Sequence, residues 1–103
     1  MNQAVIYEIT AIVAPELIEK YEKYMRERHI PDLLATGYFL GAAFTYSTDN
    51  RYRILYKAYD QESLNKYLER EAARLRADFL AHFPAGIELS REIWHIVERW
   101  KEK

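Results

Sequence analysis

The hydrophobic pattern of the chain alternates between the period of a strand and that of a helix. Residues 5–13 (VIYEITAIV) form a short run rich in β-branched side chains, which predicts a first strand. Pro15 then suits the first position of a helix, with Glu16 near its positive end. Beyond it Leu17, Ile18, Tyr21, Tyr24 and Met25 recur at helical spacing as an apolar stripe. Glu19 with Lys23, and Glu22 with Arg26, lie on the opposite face as i,i+4 pairs of the favourable order. This helix is expected to end near His29, because proline pushes the residue before it out of helical geometry. Residues 31–36 follow as a short extra helix, with Gly37 as its left-handed cap.

Residues 38–47 and 51–59 read as a second and a third strand, joined through the turn chemistry of Thr48, Asp49 and Asn50. Asp60 is a suitable N-cap for a long helix over residues 61–82. Its buried stripe is expected to be Leu64, Leu68, Ala72, Leu75, Phe79 and Phe83. Pro84 and Gly86 stop that helix, residues 87–97 form a fourth strand, and Lys101, Glu102 and Lys103 make a charged tail. The order β-α-β-β-α-β is the ferredoxin-like split βαβ arrangement, an α+β fold with a four-stranded antiparallel sheet. No linker, low-complexity tract or solenoid-length repeat divides it, so residues 1–103 are expected to be a single domain.

The two main helices cover only one face of such a sheet, so a monomer should show polar residues on the other. The second strand breaks that alternation: Phe39, Gly41, Ala43 and Thr45 alternate with Tyr38, Leu40, Ala42, Phe44 and Tyr46. In the third, Tyr52, Ile54, Tyr56 and Ala58 oppose Arg53, Leu55, Lys57 and Tyr59. In the fourth, Ile87, Leu89, Ile93 and Val97 oppose Trp94 and Ile96. A second apolar face left in water is an aggregation hazard or an interaction surface. The pattern therefore predicts a homodimer closed sheet against sheet, which needs one self-complementary patch of roughly 800 Å² per subunit.

Composition narrows the function classes without naming one. A chain that is 50% hydrophobic and 30% charged has the balance of a folded soluble domain. A net charge of −1 provides no basic surplus for nucleic acid, and no apolar run approaches the roughly 18 residues of a membrane span. With no cysteine, disulfides, thiolate chemistry and cysteine-held metals are excluded. The first residues carry neither the basic flank nor the apolar core of a secretory signal, so a cytoplasmic location is expected. Nine tyrosines stand out. They serve strand propensity on one reading, and an interface or ligand pocket on the other.

Candidate chemistry is sparse. The chain has no nucleophile elbow, P-loop, zinc-protease helix, dinucleotide fingerprint or EF-hand loop. His29, His82 and His95 are too dispersed to suggest a metal site, and no cofactor is expected. His29 beside Asp32 reads either as an oriented general base or, more ordinarily, as a histidine favoured by the negative end of a helix. His82 closes the long helix in the same way. His95 alternates with Ile93 and Val97, which makes it a partnered core histidine or a pocket residue. Arg70, Arg74 and Arg76 with Glu69 and Glu71 read as a solvated helix face, and Glu88 and Glu92 as the exposed side of the fourth strand.

Two stretches carry a family resemblance: YMRERHIPDLLATGYF at residues 24–39 and YLEREAARLRAD at residues 67–78, continued by Phe83 and the last strand. In these the chain resembles an uncharacterised bacterial family of unknown function within the dimeric α+β-barrel superfamily. That family usually carries a tryptophan where Tyr21 or Tyr24 stands and a proline near Ala73. Such departures, with helix text as regular as residues 69–77, are also what a redesigned scaffold would show. The resemblance implies a sheet-to-sheet homodimer and no assigned activity. A structural or small-ligand-binding module is the first expectation. The second, by analogy with the cofactor-independent monooxygenases and isomerases of the superfamily, is an enzyme acting on a small aromatic or apolar molecule between sheet and helices. His29, Tyr46, Arg53 and His95 are the candidates to line its pocket. An enclosed cavity of roughly 300 Å³ or more there, with convergent histidine and tyrosine, favours that reading, and solid packing counts against it.

Overall fold

All four expected strands form, and their pairing follows from the faces they bury. The computed structural model describes residues 3–48 and 50–100. In it β1 (Val5–Val13), β2 (Phe39–Thr48), β3 (Arg51–Ala58) and β4 (Ile87–His95) make one antiparallel sheet in the order β2-β3-β1-β4. Helices α1 (Ile18–Tyr24) and α2 (Ile30–Ala35) connect β1 to β2, while α3 (Gln61–Arg70) and α4 (Ala72–His82) connect β3 to β4. This is the ferredoxin-like α+β topology that the element order implies. Asp49 of the expected hairpin turn and the charged tail at 101–103 lie outside the described residues.

The first helical segment differs from expectation at its corner. The chain does not leave helical geometry before Pro31. After a 3₁₀ turn (Pro15–Leu17) and α1, Met25–His29 winds as a π turn and runs directly into α2. Ile30 keeps helical angles, φ −65° and ψ −46°, and donates its N–H to the Met25 carbonyl five residues back. Pro31 has no N–H, and in an α-helix its ring would crowd the carbonyl four residues earlier; the wider turn accommodates it. The buried residues Tyr21, Met25, His29 and Leu33 also recur every four positions, slower than the 3.6 residues of an α-helical turn. Widening the helix keeps all four on one face. Gly37 then ends the segment with φ +87°, as the sequence predicts.

The second segment is interrupted as well. Asp60 caps it by accepting the Ser63 N–H at 2.7 Å, but a turn at Glu71 (φ −121°) separates α3 from α4. Leu64, Ala72, Leu75, Phe79 and Phe83 are buried as their spacing predicts, joined by Tyr67, while Leu68 is half-buried. Gly86 precedes β4 at φ +91°, where a Cβ would lie 2.6 Å from Leu17 Cδ1. The positive φ is what favours glycine here, since the Leu17 methyl group could move aside.

The helix side of the sheet carries Val5, Tyr7, Ala11 and Val13 of β1 and Tyr52, Ile54, Tyr56 and Ala58 of β3, all buried. In β2 strict alternation fails. Leu40 is an extra residue between Phe39, opposite Ala58, and Gly41, opposite Lys57. This bulge shifts the phase, so Phe39, Ala42, Phe44 and Tyr46 all turn to the helix side. Gly41, Ala43 and Thr45 are left on the open side, which is less apolar than simple alternation suggests. Across that open face run Trp94, Ile6 and Lys57, then Glu92, Glu8, Leu55 and Ala43, then Ser90, Thr10, Arg53 and Thr45.

Candidate functional site

Packing between sheet and helices is incomplete at one end. A cavity of about 270 Å³ lies between the β1–β4 half of the sheet, the first helical segment and α4. Tyr7 and Ile9 of β1, with Leu89 and Arg91 of β4, form its floor. Tyr21, Met25 and His29 make one wall, brought into line by the four-residue spacing that the π turn supports. Leu75, Arg76, Phe79 and Leu80 of α4 make the other, with Tyr67 of α3 beside them. The exposed members of this lining, Arg76, Leu80, Leu89 and Arg91, mark its mouth.

Two polar atoms of the lining residues, the Tyr21 hydroxyl and His29 Nδ1, are buried without a hydrogen-bond partner. An atom in that position costs about 1–3 kcal/mol. Burial pushes His29 down from 6.5 to about 4, while the charges of Asp78 and Asp32 act weakly the other way. Its imidazole is therefore neutral at physiological pH. Burial also drives the Tyr21 and Tyr67 hydroxyls well above their ordinary 10. The interior is thus neutral and largely aromatic, with charge only at the mouth. Beside it the Tyr24 hydroxyl donates to Asp78 at 2.6 Å, and Arg28 donates to both oxygens of the same carboxylate at 2.8 and 2.9 Å. His82 packs at a tilt against Tyr24, with ring centres 4.6 Å apart. This cluster ties the π turn to α4 and fixes the wall that carries His29.

The β-α-β-β-α-β order and a hollow of this kind are found in a chain whose residues 4–97 match the family described as Domain of unknown function (DUF4286). The chain belongs to this family. No curated protein matches it. Among solved structures, a point mutant of SnoaB, a cofactor-independent oxygenase from Streptomyces nogalater, is similar with a TM-score of 0.75 and 15% identity, over 97% of this chain and 99% of that one. A conserved protein of unknown function from Bacteroides thetaiotaomicron, a possible oxidoreductase, gives 0.72 and 16% identity, over 91% and 98%. A conserved protein from Methanosarcina mazei gives 0.65 and 13% identity, over 87% and 91%. At these identities the likeness shows the fold alone, a ferredoxin-like α+β arrangement.

Of the four residues proposed from sequence, this DUF4286 domain brings only His29 to the cavity. Tyr46 faces the helix side beyond the helices' reach, 71% exposed, its ring centre 6.3 Å from that of Tyr52. Arg53 lies on the open face, where it pairs with Glu8 at 3.4 Å. His95 is exposed, opposite Val5, in a surface groove with Asp60 and Gln61. It is not a partnered core histidine. Nor is His29 a helix-end histidine, since the helix continues through it, and no hydrogen bond joins it to Asp32 among the described residues.

The residues missed from sequence are Tyr7, Tyr21, Tyr67, Arg76 and Arg91. Arg91 carried a readable signal, a charge among Ile87, Leu89 and Ile93 on the inward side of its strand. Arg76 carried none: its neighbours Arg70 and Arg74 are surface groups that donate to Tyr38 and Glu71. Among the described residues no cluster of side chains could hold a metal ion, and no helix is long and apolar enough to cross a membrane.

Proposed function

We propose that this DUF4286 domain binds a small apolar or aromatic molecule in the cavity between sheet and helices, as a homodimer joined through its open sheet faces. The observation that carries the binding reading is the pair of buried, unpartnered polar atoms, Tyr21 Oη and His29 Nδ1, in residues lining an otherwise apolar space. A region serving only as core would be filled; the buried Tyr56 Oη is likewise unpartnered, but its residue lies outside the lining of this unfilled space. Binding is favoured over proton abstraction by the chemistry of His29. With a pKa near 4, it accepts or donates a hydrogen bond at neutral pH rather than acting as a base matched to that pH.

Charge on the open face supports the dimer. The β4–β1 half carries Glu88, Glu92 and Glu8, and the β3–β2 half carries Arg51, Arg53 and Lys57. A two-fold axis lying along the strands between β1 and β3 sets each acidic half on the basic half of the other copy. Ile6, Leu55 and Trp94 supply the apolar area between them.

2-Acetonaphthone titrated into ¹⁵N-labelled protein should shift the amide resonances of Tyr21, His29 and Leu75. Ile9→Trp, which fills the cavity, should abolish those shifts while the far-UV spectrum stays unchanged. Undiminished binding by the variant, or shifts confined to the open face, would overturn the reading. Sedimentation equilibrium should give twice the chain mass of 12.3 kDa, and the single mass alone would refute the dimer.

A further inference from the structure

Two cations at the cavity mouth bear on the charge of what enters. Arg76 comes from α4 and Arg91 from β4, so they stand on opposite sides of the opening. Neither has a hydrogen-bond or ion-pair partner among the described residues, whereas Arg26, Arg28, Arg53, Arg70 and Arg74 each have one. Among the described residues no carboxylate lines the cavity. Arg91 sits opposite Ile9 on the helix side of the sheet, between Leu89 and Ile93, where packing alone would favour an apolar residue.

We propose that the cavity takes an amphipathic organic anion, with a flat apolar ring body among Tyr7, Tyr21 and Phe79 and a carboxylate held at the mouth between Arg76 and Arg91. The inference rests on the reading of the cavity as a ligand site and adds the charge and orientation of the ligand. A guanidinium fork matches a carboxylate at two points. The apolar rim of Leu80 and Leu89 lowers the local dielectric, so the pairing is stronger there than in open water. Burying the ring body removes apolar area from water. Neutral His29 and Tyr21 are left to meet a polar substituent at the inner end, which gives the molecule one way round.

Calorimetric titration with 2-naphthoate and with 2-acetonaphthone, nearly the same shape without the charge, separates the possibilities. At low salt the naphthoate should bind at least about tenfold more tightly. In the Arg76→Met, Arg91→Met double variant that preference should fall below about twofold. Acetonaphthone should bind both proteins alike, which shows that the variant remains folded. Equal affinity of the parent protein for the two probes overturns the anion and leaves the cavity reading standing. Binding of neither probe overturns both. A preference that survives loss of both arginines puts the charge recognition elsewhere and also ends the inference.

Discussion

The two halves of the helix-covered sheet face are built alike and finish differently. On β3, Tyr52, Ile54, Tyr56 and Ala58 are at most 3% exposed. On β4, Leu89 and Ile93 are 36% and 39% exposed, and Arg91 and His95 lie open beside them. The helices lean on β1, β2 and β3, and rings interlock beneath them: Tyr21 lies 5.1 Å from Tyr52, and Phe39 5.0 Å from Tyr67, centre to centre. Toward β4 the helices stop short, and the space they leave is the cavity. In the first half the side chains fill the space between sheet and helices, although the Tyr56 hydroxyl is unpartnered there as well. In the second they face a hollow that also holds unpartnered polar atoms. Stability should therefore concentrate in the first half, and recognition in the second.

The widest separation is expected from truncating a leucine in each half. Leu64 of α3 is wholly buried over the packed half, so Leu64→Ala should cost about 2–5 kcal/mol through lost burial and the void left behind. Leu89 already borders a hollow and is a third exposed. Leu89→Ala should cost less than about 1 kcal/mol. Urea unfolding of both variants at one pH measures the contrast, and equal losses would erase the distinction between the halves.

Acid gives the next largest effect and acts from the cavity side. His29 folds to a pKa near 4 against 6.5 when exposed, so between those values the unfolded chain binds a proton that the folded chain refuses. Stability is then full above about pH 6.5 and falls as pH drops toward 4, by at most on the order of 3 kcal/mol. Asp78 works in a lower window. Hydrogen bonds from Tyr24 and Arg28 depress its carboxyl, so its contribution is present above its ordinary 3.8 and lost below it. His29→Leu should flatten the upper limb and spare the lower one. Urea midpoints across the range test this: a variant limb as steep as the parent's would assign the upper titration to another group.

How much of this was legible depended on whether the cause was local. The first strand reads end to end because its β-branched run is bounded by Pro15, and Asp60 and Gly37 announce a cap and a stop by their own chemistry. The bulge at Leu40 is a matter of register with β3, so it was not visible within β2 alone, and the inferred second apolar face was overstated. The π turn left a trace, the four-residue spacing from Tyr21 to Leu33, but the proline beside it suggested an interruption instead. The cavity is the least legible feature, because it is set by how far two helices reach across a sheet. His29, Tyr46, Arg53 and His95 are all pocket candidates by analogy of fold, which gives no register; His29 reaches the cavity through the phase of the widened helix.

The smallest expected effects discriminate most finely between the halves. The hydroxyls of Tyr56 and Tyr21 are both buried and unpartnered, and burial holds both far above the ordinary tyrosine range. Tyr56 packs behind the lining, against Tyr7 and Phe39, whereas Tyr21 is itself part of the lining. Removing a hydroxyl that bonds to nothing relieves desolvation without breaking a contact, so each Tyr→Phe change should be neutral or stabilising by up to about 1 kcal/mol. On binding, the two should part. 6-Hydroxy-2-naphthoate, seated with its carboxylate at the arginines, carries a hydroxyl to the inner end where Tyr21 waits. It should gain about threefold to tenfold over 2-naphthoate in the parent protein and in Tyr56→Phe, and lose that gain in Tyr21→Phe. Loss in both variants alike would mean that the packed half also shapes the site, and the division between structure and recognition would have to be drawn elsewhere.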